Sequence, residues 1–142
     1  MAGKRGTGFL IRSDLEIIDV KRVNERLSYI DIRTLTGAFR VVAVYMPHCG
    51  YDDSDIEKMY FDIEVIIRDA KHRKINYCIC GDFNAEVGKH DPVHDFVEYK
   101  QARGAFGLAR QNSRGEWLTR WCERHDLAIA NTHFETEASL LW

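Results

Sequence analysis

An α/β fold is predicted for this chain, and three stretches predict it. Residues 39–45, apolar apart from Arg40 and carrying three valines, read as a strand. Ile56, Met59, Tyr60, Ile63, Ile66, Ile67 and Ala70 recur at helical spacing and make one apolar stripe. Tyr77 to Cys80 is a second short apolar run, expected to be a strand buried on both faces. Strand, helix, strand in this order is a β-α-β unit, whose two strands lie parallel in one sheet. Parallel neighbours end on the same edge, so residues distant in sequence meet there.

Each element follows from local pattern. Gly6-Thr7-Gly8 precedes the apolar triplet Phe9-Leu10-Ile11, expected to be a strand; no Lys-Ser/Thr pair follows, which excludes a phosphate loop. Residues 17–23 and 27–33 alternate in part around Asn24-Glu25 and predict a β-hairpin, with Ile18, Val20, Ile30 and Ile32 on its buried face. Thr36-Gly37 turns the chain into the strand Phe39 to Tyr45, which Pro47 ends because proline has no N–H for a ladder. The first helix spans about 54–71, with Ser54 and Glu57 at capping-box spacing. Residues 86–110 bear glycine and lack periodicity, as expected of a long surface loop. Ser113 and Glu116 repeat the capping-box spacing and open a second helix that buries Trp117, Leu118, Trp121 and Cys122. A last short strand, Leu127 to Ala130, is expected before Asn131-Thr132-His133-Phe134, and the sequence runs out at the apolar Leu140-Leu141-Trp142.

Composition bounds the function classes. The 142 residues are 45% hydrophobic and 30% charged, the balance of a single globular domain with a real core. The longest apolar run, 41–47, is far too short to span a membrane, and no apolar segment follows the start as in a signal peptide. An intracellular protein without a membrane partner is therefore expected. Net charge is −2, so the molecule as a whole does not advertise nucleic acid. Charge is uneven, however: residues 41–100 carry seven Lys/Arg against twelve Asp/Glu, a balance that suits a cation better than a DNA groove. Cys49, Cys78, Cys80 and Cys122 form no Cys-x-x-Cys pair and read as reduced thiols, Cys78 and Cys80 serving as small hydrophobes. His90, Asp91, His94 and Asp95 surround Pro92 in a loop and read as solvated rather than as a zinc site.

Chemistry concentrates in Gly81-Asp82-Phe83-Asn84-Ala85. Asp82 and Asn84 place a base and a hydrogen-bonding amide two residues apart at the end of a strand, where α/β sheets gather ligand-binding groups. Gly81 is expected to let substrate approach the backbone. Tyr45 and His48 stand near the carboxyl end of the strand predicted to be parallel, so Tyr45 and Asp82 are expected to meet.

Five motifs in order, Gly6 to Ile11, Val44-Tyr45-Met46-Pro47, Gly81 to Ala85, Asn112-Ser113-Arg114-Gly115 and Ile129 to Phe134, resemble the endonuclease/exonuclease/phosphatase superfamily. More narrowly they resemble the endonuclease domain of long-interspersed-element retrotransposons and the craniofacial-development-protein-like genes. The resemblance covers essentially the whole chain, residues 1–142, as one partial domain. It implies a four-layer α/β sandwich, two packed mixed sheets with helices outside, and hydrolysis of phosphoesters with Mg²⁺ or Mn²⁺. Carried over by position, Asp82 orients or deprotonates the attacking water and meets the metal, while Asn84 and Tyr45 hold the phosphate. His48 stands where many relatives have a phosphate-contacting Asn. The resemblance also implies that the metal-binding Glu of an earlier Gln-Glu strand and the acid-base His of a later Ser-Asp-His motif are missing; neither His125 nor His133 matches that position.

The implied function is a piece of a metal-dependent DNA endonuclease, its partner DNA and its full-length polypeptide one that can also hold a reverse transcriptase domain. Two other readings stand beside it. One is a phosphatase or RNA exonuclease of the same superfamily; the other is a non-catalytic remnant. For the chain alone, inactivity is the expectation.

Overall fold

The computed structural model describes residues 6–48, 50–90 and 102–135. The chain falls into two compact units, 1–84 and 85–142.

The first unit is α/β. Strands β1 (Ile17–Asn24), β2 (Leu27–Thr34), β3 (Gly37–Tyr45) and β4 (Asn76–Asp82) form one sheet in the order β1-β2-β3-β4, and helix α1 (Asp53–His72) joins β3 to β4. β1, β2 and β3 are antiparallel neighbours, whereas β3 and β4 are parallel, as the predicted β-α-β unit requires. The described residues contain this one mixed sheet; the second sheet of a four-layer sandwich is not among them.

Alternation decides what faces the helix. Arg40, Val42 and Val44 on β3 are buried, and their partners on β2 are Asp31, Tyr29 and Leu27. All seven apolar positions of the predicted stripe on α1 are buried against this face. The expected buried face of the hairpin is only partly right. Val20 does pair with Ile30, but an irregularity between Ile17 and Asp19 takes Ile18 out of register, and β1 is exposed along nearly its whole length. The side of β2 that meets the helix is Leu27, Tyr29 and Asp31 instead.

Two further expectations change. Phe9-Leu10-Ile11 forms no strand, and Leu10 is fully exposed. Apolar character without a partner strand gives a triplet nothing to pair with. Ser54 does not cap α1: the boundary residue is Asp52, without a side-chain cap bond, and Asp53 and Asp55 place negative charge in the first turn.

At the centre of the helix–sheet layer is an ion cluster that hydrophobic patterning does not announce. Arg40 Nε and Nη2 donate to the two oxygens of Asp31 at 2.7 and 2.8 Å. Its Nη1 donates to Asp69 Oδ2 at 2.8 Å and to the Ile66 carbonyl at 3.1 Å, and its guanidinium lies 4.0 Å from the Tyr29 ring centre. Arg40 and Asp31 side chains are wholly buried. These bonds to Asp31 and Asp69 outweigh the desolvation of Arg40 and hold it firmly protonated; in return Arg40 lowers the carboxyl of Asp69 below its ordinary value.

The described residues of the second unit hold helix α2 (Ser113–Arg124) and a 3-10 turn, Ala130–Thr132, with loop before α2. The cap of α2 is Asn112 rather than Ser113: its Oδ1 accepts from the N–H groups of Gly115 at 2.8 Å and Glu86 at 3.2 Å. The helix buries Leu118, Trp121 and Cys122 as expected, with Thr119 and Gly115, while Trp117 is half-buried. The strand expected at 127–130 is absent. Instead Ile129 N–H donates to the Ala102 carbonyl at 2.8 Å, and Thr132 Oγ1 accepts from Gly104 N–H at 2.8 Å. Of the His90–Asp95 cluster only His90 lies within the described residues, and both Cys49 and Leu140-Leu141-Trp142 lie outside them.

Candidate functional site

Tyr45 and Asp82 are the last register partners of the parallel β3–β4 pair, so they sit side by side at one corner of the sheet. The ladder continues past them, since Met46 N–H donates to the Asp82 carbonyl at 2.8 Å. Asn84 closes the corner. Its backbone is left-handed (φ 49°), a conformation asparagine tolerates better than most residues. Its N–H donates to Asp82 Oδ1 at 2.9 Å and its side-chain Nδ2 donates to the Met46 carbonyl at 2.7 Å. The Asp-Phe-Asn turn thereby locks onto the strand that carries Tyr45. Asp82 is exposed, while Tyr45 and Asn84 are half-buried.

His48 is exposed beyond the buried Met46 and Pro47. Its Nδ1 accepts from Gly50 N–H at 3.1 Å, and its ring meets Tyr51 edge-on at 4.9 Å. These contacts keep it within its own loop. Tyr45, Asp82 and Asn84 are therefore brought together, and His48 stands on the adjoining loop.

Arg26 joins this corner without any local pattern that announces it. This residue, at the β1–β2 turn, is buried; its guanidinium lies 4.9 Å from the Tyr45 ring centre and 5.0 Å from that of Tyr51. Nη2 donates to the Tyr51 hydroxyl at 3.0 Å and Nη1 to the Tyr45 carbonyl at 3.4 Å. A cation held between two tyrosine rings orients them and brings positive charge to this corner. The signal in sequence was a basic residue inside a hairpin turn, which by itself reads as solvated surface.

Gly81 serves the packing of the sheet. It adopts φ +149°, and a Cβ there would lie 1.8 Å from the Val44 carbonyl oxygen. This close approach is to the neighbouring strand β3. Gly81→Ala is expected to destabilise the first unit by at least about 2 kcal/mol, through strain plus clash. Urea unfolding followed by far-ultraviolet circular dichroism checks this; an unchanged midpoint would refute the packing account.

β4 is also more open than expected. It is an edge of the sheet, with Tyr77, Cys78 and Ile79 half-buried and Cys80 exposed, so it is not a strand buried on both faces. Burial, with a contribution from Cys80, pushes the Cys78 thiol up to about 11.

The resemblance implies a divalent metal at this corner. Mg²⁺ demands a near-octahedral shell of oxygens and is held by carboxylates together with substrate phosphate. Among the described residues no three His, Cys, Asp or Glu side chains gather in a way that could hold a metal ion. Asp82 contributes one carboxylate, and one of its oxygens already accepts from Asn84. These residues do not fit a resident Mg²⁺. What the corner can do is present a fixed carboxylate, an amide and a phenol to one ligand group.

No helix among the described residues is long and apolar enough to cross a membrane. No known protein-family profile matches the chain. The chain is similar to craniofacial development protein 2 of Tragulus javanicus, at 24% identity over 141 residues. That alignment takes in 98% of this chain but only 23% of the relative, so the chain spans about a quarter of the protein it matches.

Proposed function

We propose that this chain carries the water- and phosphate-handling corner of a divalent-metal-dependent phosphodiesterase, a DNA endonuclease of the retrotransposon kind, and that the 142-residue chain does not cleave DNA by itself. The observation that carries the reading is the pairing of Tyr45 with Asp82 at the carboxyl ends of two parallel strands, with Asn84 tied back to the same corner. The ordered motifs of the endonuclease/exonuclease/phosphatase superfamily and the similarity to a craniofacial development protein support the same branch.

In this reading Asp82 orients or deprotonates the attacking water. Asn84 has one amide hydrogen on Met46 and offers the other to a phosphate oxygen, Tyr45 contacts the same phosphate, and His48 flanks it. Arg26 positions the Tyr45 ring. The substrate of the longer polypeptide is DNA, with a reverse transcriptase domain as its natural companion, and Mg²⁺ or Mn²⁺ the metal of the complete enzyme.

Inactivity of the chain follows from the residues it has. Phosphodiester hydrolysis needs an attacking water positioned, phosphate charge neutralised and a leaving group protonated. The corner supplies the first and part of the second. An absent acid-base group costs about 10²–10⁴-fold on its own. Supercoiled plasmid incubated with the purified chain and Mg²⁺ is expected to stay supercoiled at the rate of a protein-free blank. Nicking by the chain that Asp82→Ala removes would overturn the inactivity and name Asp82 as its source.

A further inference from the structure

Cys78 and Cys80 lie on one face of β4, the face opposite α1, and their sulfurs are 3.7 Å apart. Their register partners on β3 are Val41 and Ala43, both short side chains; Cys80 is exposed and Cys78 half-buried. The strand fixes this pair: residues two apart on a strand project to the same side, and the parallel ladder with β3 holds the backbone on which both thiols stand.

The spacing selects what the pair can hold. A direct disulfide needs sulfurs at about 2.0 Å, so closing it would pucker a strand held by its neighbour. An atom bonded to both sulfurs is another matter. With 3.7 Å between them and the ~2.3 Å bonds of a zinc thiolate, the S–metal–S angle comes to about 107°, against ~109° for a tetrahedron. The two thiols already stand at two corners of a tetrahedral shell. Soft sulfur donors select d¹⁰ cations over Mg²⁺, so this is not the oxygen-lined corner at Asp82.

We propose that Cys78 and Cys80 form a bidentate binding site for a thiophilic d¹⁰ cation such as Zn²⁺ or Cd²⁺. Uptake is a coordination step: two thiols release two protons and form two metal–sulfur bonds, with no change of oxidation state. No third His, Cys, Asp or Glu among the described residues completes the shell, so the other two positions belong to water. The site is exchangeable rather than structural. It stands apart from the phosphodiesterase reading, since neither thiol takes part in that chemistry.

The test uses the full 142-residue chain, reduced, titrated with Cd²⁺ alone while the ultraviolet thiolate-to-cadmium charge-transfer band is recorded. The band is expected to saturate, and Cys78→Ser or Cys80→Ser is expected to weaken the affinity by about 10²-fold or more, the usual advantage of a second tethered contact. Cys49→Ser is expected to leave it in place. A second measurement needs no variant: Zn²⁺ is expected to slow alkylation of Cys78 and Cys80 by iodoacetamide at least tenfold in the unaltered chain, read by mass spectrometry of the tryptic peptide that holds both. Absence of the band, a band that survives both serine variants, or equal alkylation rates with and without Zn²⁺ would each overturn the site.

Discussion

Replacing Asp31 with alanine is expected to lower stability by about 3–5 kcal/mol, the usual cost of breaking a buried ion pair from one side. The reason is geometric. Asp31 is wholly buried and takes two hydrogen bonds from Arg40, whose side chain is equally buried. Without Asp31 the guanidinium keeps Asp69, the Ile66 carbonyl and the Tyr29 ring, but loses the partner that matches its fork. Arg73, 3.5 Å from Asp31, loses the same carboxylate. Replacing both members, Asp31→Leu with Arg40→Met, removes the stranded charge and is expected to cost much less than either single change, because a buried pair exchanged for packed apolar groups is often neutral. Chemical denaturation of the three variants decides it; a double variant as unstable as the sum of the singles would refute the coupling. The cluster also sets a pH dependence. Asp69 has its folded pKa lowered by the hydrogen bond from Arg40, so its contribution is present above the ordinary carboxylate value and is lost as pH falls through the lowered one. Asp69 is about half exposed, and solvent screening keeps this contribution small. Acid unfolding of Asp69→Asn is expected to begin from a lower stability at neutral pH and to show a shallower loss below the carboxylate range.

Loss of DNA nicking on Asp82→Ala is the second large effect, and it is expected in a longer protein. Joined to segments that bring a Gln-Glu strand before it and a Ser-Asp-His motif after it, the chain is expected to nick supercoiled plasmid in Mg²⁺. Asp82→Ala in that protein is expected to reduce the rate by about 10²–10⁴-fold, the range of a general acid–base group. Asp82→Asn keeps the shape and the bond that Asn84 N–H makes, so it separates chemistry from folding. An equal loss in Asp82→Asn and Asp82→Ala assigns the effect to the carboxylate. A joined protein in which Asp82→Ala nicks at the parent rate would remove Asp82 from the reaction.

Local pattern determined a good share of this molecule. The hairpin, the strand 39–45, both helices and the apolar stripe of α1 were legible because each depends on periodicity and on breakers a few residues away. The corner of Tyr45 and Asp82 was legible too, because a β-α-β order with parallel strands obliges both carboxyl ends to share an edge. Other features needed the third dimension. Phe9-Leu10-Ile11 and residues 127–130 have strand-like composition, yet a strand exists only where another pairs with it, and pairing is a long-range contact. The caps moved from Ser54 and Ser113 to Asp52 and Asn112, since the first turn of a helix can begin at any of several polar neighbours.

Sequence determined which residues are chemically able to act at the corner: a carboxylate, an amide, a phenol and an imidazole in fixed order. Only tertiary structure decided which of them stand together, leaving His48 on the neighbouring loop and drawing Arg26 in from the hairpin turn. It also decided that Arg40 is buried against Asp31 rather than solvated, and that Cys80 is exposed and Cys78 half-buried rather than core hydrophobes. The physical reason is the same in each case. Burial and partnership depend on what packs across the sheet from a side chain, and in this unit the helix covers one face of β3 and β4 while Cys78 and Cys80 stand on the other.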